Sequence, residues 1–199
     1  ADEILITAEP LHHLSKVLRL KVNDQAILLD GTGGCCRVRI SAISRDQAKA
    51  DPLERWQAFE TALPVRLLQA LPKGDKFDLI LQKGTELGIV CFQPVLCQRS
   101  IPQADPQRMQ KRSLRWARII SEAARQSRRP VLPKLAPAQP LAEAIQAAPH
   151  NLRLVLWEQG ATPLQEILPA QPPADVTLLV GPEGGFTPEE VAFVQEAGF

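Results

Sequence analysis

From Val65 onward, short apolar runs of strand length alternate with stretches of helical periodicity, and this alternation narrows the possible folds more than any other feature of the 199 residues. Val65–Leu71 is an apolar run, Pro72-Lys-Gly74 interrupts it, and Asp75 stands where it can cap a helix running to about Leu87. Such a helix carries Phe77, Ile80, Leu81 and Leu87 on one face, and Gly88 ends it. Ile89–Leu96 reads as the next strand, a long helix covers about residues 106–128, and Arg153–Trp157 and Val176–Val180 read as later strands. Strands alternating with helices predict a mostly parallel α/β sheet covered on both faces. Many of the 18 prolines fall in residues 130–173 and are expected to break that segment into loops.

The first 50 residues follow a different pattern. Ala26–Asp30 and Cys36–Ile43 are short apolar or alternating runs, and Gly31-Thr-Gly-Gly34 between them reads as a hairpin turn. Ahead of them, His12–Leu20 has apolar residues at 14, 17, 18 and 20, which predicts a short amphipathic helix with His12, His13, Lys16 and Arg19 on its polar side. Residues 44–64 mix charges with Pro52 and Pro64 and read as a linker. The expected division is a small β-rich domain over residues 1–60 and an α/β domain over residues 61–199.

No run of about 18 apolar residues occurs that could span a bilayer. The start Ala-Asp-Glu-Ile-Leu-Ile lacks the basic residues and apolar core of a signal peptide. Cys35, Cys36, Cys91 and Cys97 lack CxxC spacing, and three histidines do not complete a metal set, so no metal is expected. Buried or incidental thiols suit a reducing compartment, and a cytoplasmic location is expected.

The net charge of +1 hides a strong polarisation. Residues 65–135 hold 14 Lys/Arg against 5 Asp/Glu, whereas residues 136–199 hold 1 against 8. Either a basic surface faces an anionic partner, or the segments intermix in space and neutralise one another. The long helix favours the first reading. On a helical wheel Lys111, Arg115, Arg118, Glu122, Arg125 and Arg129 form one stripe, opposite Met109, Trp116, Ile120 and Ala123. Residues 111–129 contain seven basic side chains and one acid, and arginine forks suit bidentate contact with phosphates.

The sharpest local signal is Leu178-Leu-Val-Gly181-Pro-Glu-Gly-Gly185-Phe-Thr187-Pro-Glu-Glu190. A strand enters a glycine loop and then a helix, with Thr187 and Glu190 as a capping box and Pro188 at the first helical position. A phosphate cradle is disfavoured, because no Gly-Lys-Ser/Thr follows and Glu183 would repel the anion. The GxGxxG pattern is also absent. A carboxylate among free backbone groups suits a neutral or locally cationic ligand; a plain tight connection is the alternative. A weaker feature is Lys73-Gly-Asp-Lys76 through Gln82-Lys-Gly-Thr-Glu86, where a mid-helix Gly84 suggests close packing or ligand approach. No GxSxG, HExxH or clear Cys–His pairing supports a hydrolytic centre.

Several of these stretches occur in an order that resembles one known family. Leu71-Pro-Lys-Gly-Asp-Lys76, Gln82-Lys-Gly-Thr-Glu-Leu-Gly88, Gln98-Arg-Ser100, Glu122-Ala-Ala-Arg-Gln-Ser127 and Leu179-Val-Gly-Pro-Glu-Gly-Gly-Phe186 look like the RsmE family of 16S ribosomal RNA uracil-N3 methyltransferases, in the SPOUT superfamily. His13-Leu-Ser-Lys-Val-Leu-Arg-Leu20 resembles its N-terminal PUA-like domain. The resemblance implies a PUA-like β-barrel followed by a SPOUT-type α/β domain with a C-terminal trefoil knot, a homodimer, and S-adenosylmethionine as methyl donor. It assigns the cofactor to Leu156, Trp157, Glu158 and Gly160 and to Gly181, Pro182, Glu183, Gly184 and Gly185. RNA contact is expected from His13, Lys16, Arg19, Lys73, Lys76, Arg115, Arg118, Arg125 and Arg128, with ribosomal RNA or the small subunit as partner. Arg129 is the candidate for orienting phosphate or base. The family pattern continues past the position of Phe199 with a segment that supplies a third cofactor loop, the knot helix and dimer contacts, so this chain is expected to lack them. The competing expectation is a non-catalytic RNA-binding protein on the same scaffold.

Overall fold

The computed structural model describes residues 3–60, 63–100, 106–149, 151–159 and 162–199. The chain divides into two compact units, Ala1–Phe59 and Glu60–Phe199. Among the described residues no helix is long and apolar enough to cross a membrane.

In the first unit β1 (Ile4–Ile6), β2 (Gln25–Leu29), β3 (Gly34–Ile43) and β4 (Ala48–Gln57) form one antiparallel sheet in the order β1-β4-β3-β2. The Gly31–Gly34 turn joins β2 to β3 and sets Leu29 opposite Cys35. Period-two alternation sends Cys36, Val38 and Ile40 of β3 and Ala48 and Ala50 of β4 into one core with Ile6, Leu11 and Leu14. Residues 44–64, expected as a linker, instead contain the ten-residue β4. Its charges are the outward half of a strand pattern: Glu54 pairs with Arg37 across the sheet at 3.0 Å. Pro52 sits beside the register shift between Arg37 and Val38, where an absent N–H is tolerated.

The expected helix over His12–Leu20 is also redrawn. Helix α1 covers Ala8–His12 and continues as a π-helical turn over His13–Val17. The wider turn changes the angle between successive side chains, so Leu11 and Leu14 are buried while Val17 and Leu18 are more than half exposed. His12, Lys16 and Arg19 do face solvent, and His13 is half-buried.

The second unit is built on a parallel sheet. Its strands are β5 (Val65–Ala70), β6 (Ile89–Leu96), β7 (Lys134–Leu135), β8 (Gln139–Pro140), β9 (Leu152–Leu156) and β10 (Val176–Val180). They run in the order β7-β6-β5-β10-β9, with β8 also paired to β6. Consecutive residues of β5 feed opposite cores. Leu67 packs with Phe77, Leu81, Phe92, Trp116 and Ile120 beneath α2 (Lys76–Glu86) and α3 (Pro106–Gln126). Leu68 packs with Val95, Ile145, Leu179, Val191 and Val194 beneath α4 (Leu141–Gln146) and α6 (Pro188–Glu196). Both faces are covered, which is why these strands read as continuous apolar runs. The Phe77 and Trp116 rings meet edge-on with centroids 4.6 Å apart and hold α2 against α3.

Several local expectations are corrected. Leu87 lies beyond α2 and is 83% exposed, so it leaves the apolar face. Asp75 precedes α2 without a side-chain cap bond; its carboxylate lies 3.4 Å from Arg115 instead. Gly84 marks close packing: a Cβ there would lie 2.6 Å from the Phe92 ring. Residues 130–173 are more than loops, since β7, β8, α4 and a short α5 (Leu164–Ile167) fall there. The lone basic residue of the acidic C-terminal stretch, Arg153, is buried and donates to the carbonyls of Ile145, Ala148 and Ala197. One guanidinium thus satisfies terminal carbonyls of both α4 and α6.

Candidate functional site

In a parallel sheet, loops leaving the C-terminal ends of the strands form the usual ligand crevice. Here the loop after β10, Gly181–Phe186, is touched by the loops after β5, β6 and β9. Glu183 accepts the Lys73 backbone N–H at 3.2 Å and the Lys76 ammonium at 2.6 Å. Arg99 donates through one terminal nitrogen to the Gly184 carbonyl at 2.7 Å and the Phe186 carbonyl at 3.4 Å. A Cβ placed on Gly185, whose φ is +68°, would lie 3.1 Å from a carboxylate oxygen of Glu158. From below, the buried Gln69 of β5 donates to the Gly181 carbonyl at 3.3 Å.

The helix that follows is fixed by its own sequence. Thr187 Oγ1 accepts the Glu190 N–H while the Glu190 carboxylate accepts the Thr187 N–H, and Pro188 opens α6. The other oxygen of this buried carboxylate accepts the Gln98 N–H at 2.8 Å. One residue therefore caps α6 and ties the β6 loop to it. Next to Gln98, burial first and the Glu190 charge second push the Cys97 thiol up to about 12, so this sulfur stays protonated and inert. A cavity of about 330 Å³ opens at the same end of the sheet, between Leu96, Leu141 and Phe193, with Gln98 and Glu190 on its wall.

Glu183 is held at about 2, chiefly by the Lys76 hydrogen bond, with backbone donors adding to it. Its charge is thus already balanced, which weakens the argument that it would repel an anion. The loop's outer surface stays open: Glu183, Gly184 and Glu158 are all exposed. The Glu158 carboxylate makes no hydrogen bond or ion pair among the described residues.

The expected cofactor residues therefore gather at two strand ends, Leu156 closing β9 with Trp157 and Glu158 after it, and Gly181, Pro182, Glu183, Gly184 and Gly185 after β10. Gly160 lies outside the described residues. Lys73 and Lys76 belong to the same loop cluster through Glu183. Arg115 extends it, since its guanidinium pairs with Asp75 and Asp78 at the start of α2. The basic stripe is thinner than the wheel suggests. Arg125 pairs with Glu122 at 3.3 Å, while Lys111, Arg118 and Arg128 are exposed and unpaired among the described residues. His13, Lys16 and Arg19 belong to the first unit.

Arg129 is not on that stripe, because α3 ends at Gln126 and Arg128 turns the chain through a left-handed conformation at φ 56°. Its side chain, 8% exposed, donates to the carbonyls of Thr85 and Ile89 and forks onto the Glu60 carboxylate. Ile89 begins β6, so Arg129 sits at the N-terminal end of the sheet, opposite the glycine loop. Every donor direction in use there points into the protein, which corrects the expectation that Arg129 orients phosphate or base. Sequence reasoning had quoted Gln98-Arg-Ser100 without assigning a role. The position of Arg99 just after a buried strand was the signal that could have done so.

A parallel α/β unit with one loop cluster at its C-terminal edge, and a small antiparallel β unit ahead of it in the chain, define a two-part α/β protein whose candidate site lies at the strand ends. The comparisons with known proteins then narrow it. A sequence model described as an RNA methyltransferase domain matches residues 59–199, and one described as an RNA methyltransferase PUA domain matches residues 6–53. Ribosomal RNA small subunit methyltransferase E of Synechocystis is 35% identical over 98% of this chain and 64% of its own length. The Bacillus subtilis protein of the same name is 32% identical over 98% of this chain and 80% of its own. Among solved structures, ribosomal RNA small subunit methyltransferase E from Neisseria gonorrhoeae bound to S-adenosyl methionine matches with a TM-score of 0.90 at 32% identity, covering 100% of this chain and 81% of that one. A putative methyltransferase from Legionella pneumophila with bound cofactor SAM matches with the same score at 29% identity and the same coverage. The chain belongs to the ribosomal RNA small subunit methyltransferase E family.

Proposed function

We propose that the chain transfers a methyl group from S-adenosylmethionine to N3 of a uridine in small-subunit ribosomal RNA. The observation that carries this reading is the convergence of three strand-end loops on Gly181–Phe186, in a chain of this family. The donor set fits the cofactor. Main-chain groups of an exposed glycine loop suit a neutral nucleoside, and the Glu158 carboxylate, unpaired among the described residues, suits a cationic sulfonium or ammonium. Residues 156–160 and 181–185 would hold it; when bound, S-adenosylmethionine supplies a methyl on positively charged sulfur.

The protein's own task is then positioning and charge. Lys111, Arg118, Arg125 and Arg128 on and after α3 hold RNA phosphates, together with Lys16, Arg19 and His13 of the first unit. Holding the uracil ring close to the loop converts a bimolecular encounter into a local one. The N3 proton must leave before or during transfer, which puts negative charge on the imide. Lys76 and Arg99, whose side chains touch the loop, are cations able to stabilise it. The residues divide as a PUA-like domain over 1–60 and a SPOUT-type domain over 61–199, acting in the cytoplasm during ribosome biogenesis.

The test is incubation of the protein with methyl-labelled S-adenosylmethionine and small-subunit RNA, followed by nucleoside analysis. Label at uridine N3 is the expected outcome. RNA binding without cofactor binding by calorimetry, and without transfer to any RNA, would leave the non-catalytic RNA-binding reading in its place.

A further inference from the structure

The first turns of α4 and α6 flank the end of β6 and leave an apolar groove between them. Strand β8 pairs with β6 as far as Pro140 opposite Leu96, so Leu141 starts α4 directly beside that strand end. On the other side the Glu190 carboxylate accepts the Gln98 N–H at 2.8 Å and holds the start of α6 in place. The cavity of about 330 Å³ lies in this gap. Leu96, Leu141, Ala142 and Phe193 give it an apolar lining, and it shares no lining residue with the loops at 156–160 and 181–185. Phe193 is 38% exposed, a large ring left at the mouth while Val191 and Val194 beside it are buried.

The rim carries one sign of charge. Glu189, Phe193 and Glu196 are spaced four and three residues apart, which places them on one exposed stripe of α6. On α4, Ala142 and Glu143 are exposed in the first turn. Glu143, Glu189 and Glu196 form no ion pair among the described residues. The backbone N–H of Glu189 itself, then the Thr187 hydroxyl and the Arg99 charge, hold the Glu189 carboxyl below the ordinary range. No free cation offsets these acids from their own stretch of chain. Arg99 is turned to the Gly184 and Phe186 carbonyls, and Arg153, the one basic residue of 136–199, is buried.

We propose that this groove docks a lysine- and arginine-rich segment of a partner protein, with one apolar side chain of that segment seated between Leu141 and Phe193. A rim of carboxylates repels phosphates, so nucleic acid is the wrong occupant. An apolar anchor in a pocket, ringed by complementary charge, is a common build of protein interfaces: the anchor supplies affinity and the charges supply steering. Helix α3, with its arginines, covers the opposite face of the sheet, so a basic protein in the groove does not compete with an anion held there.

Fluorescence polarisation on the full chain tests this with a short labelled peptide of lysines and arginines around one leucine, against the same peptide with serine for leucine. The leucine peptide is expected to bind about tenfold more tightly, since one apolar side chain is buried. Ala142→Trp fills the cavity from an exposed helix position and should abolish that difference, leaving the serine peptide within about twofold. Phe193→Ala, which adds no bulk, should shrink the difference to about threefold with an unchanged melting temperature. Glu143→Gln combined with Glu189→Gln should weaken both peptides and flatten their salt dependence. Equal affinity for the two peptides, or a leucine preference that survives both Ala142→Trp and Phe193→Ala, overturns the proposal. So does loss of single-stranded RNA binding or of self-association in Phe193→Ala, which would give the groove to RNA or to a second copy of the chain.

Discussion

The Lys76 ammonium lies 2.6 Å from the Glu183 carboxylate, 107 positions later in the chain, and the same carboxylate accepts the Lys73 N–H. This contact staples the glycine loop after β10 to the start of α2. It gives the loop a defined shape although four of its residues are exposed or lack side chains. Because the acid's folded pKa is depressed to about 2, the contact is complete above the ordinary value of 4.5 and is lost as pH falls from there through about 2. Cofactor affinity should therefore be insensitive to this group between pH 6 and 8. Glu183→Gln should weaken S-adenosylmethionine binding several-fold across that range while leaving the melting temperature within a few degrees, read by calorimetry and thermal denaturation. Unchanged affinity would remove the staple from the site.

The two neighbouring glycines of the loop should respond differently to alanine. At Gly184 an added Cβ meets only Arg99 side-chain carbons at 3.4 Å and beyond, which is ordinary contact. At Gly185 the backbone has φ +68° and the added Cβ would press on Glu158 at 3.1 Å. A left-handed conformation costs a residue with a Cβ roughly 1–2 kcal/mol. Gly185→Ala is expected to lose about that much stability and to displace Glu158, whereas Gly184→Ala should be close to neutral. Chemical denaturation of both variants is the check, and equal losses would contradict the placement of strain.

A similar calculation applies inside the second unit. Gly84→Ala would ordinarily raise helix stability by about 1 kcal/mol. Here the new methyl would sit 2.6 Å from a ring atom of Phe92, a side chain with no exposure and no room to rotate away. Overpacking of this kind costs typically 1–3 kcal/mol, so the net effect is expected to be destabilising. A stabilised variant in urea denaturation would show that α2 can shift outward from β6.

How far the chain could be read before its structure was known follows from where each signal was local. The parallel sheet was legible because Val65–Ala70, Ile89–Leu96 and Val176–Val180 are covered on both faces and so mostly apolar, with Arg66, Gln69, Gln93 and Thr177 the polar residues among them. The capping box at Thr187 and Glu190 was legible because its spacing is set within one helical turn. Strand β4 was missed: its core positions are alanines and its outward positions are charged, a pattern that satisfies a linker as well as a strand. The contacts of Glu183 and Arg99 were out of reach for another reason, since each joins residues more than 80 positions apart. Arg129 was misread because the wheel was extended past Gln126, where the helix stops.

That misreading leads to the clearest division of labour among the arginines. Arg129 is almost fully enclosed and its guanidinium joins Glu60 to the carbonyls of Thr85 and Ile89. Removing one partner of a buried, hydrogen-bonded pair typically costs 3–5 kcal/mol. Arg129→Ala should therefore lower the unfolding free energy by about that amount, and Arg129→Lys should recover little because one ammonium cannot fork onto a carboxylate and reach two carbonyls. Arg118 is exposed and unpaired among the described residues, so Arg118→Ala should leave stability unchanged to within about 0.5 kcal/mol. Its effect should appear instead as weaker RNA binding, with the slope of log affinity against log salt reduced by roughly one contact. Denaturation and salt-dependent RNA titration on the two variants read these effects separately. If Arg118→Ala leaves RNA affinity and its salt slope untouched, the exposed face of α3 is not an RNA surface.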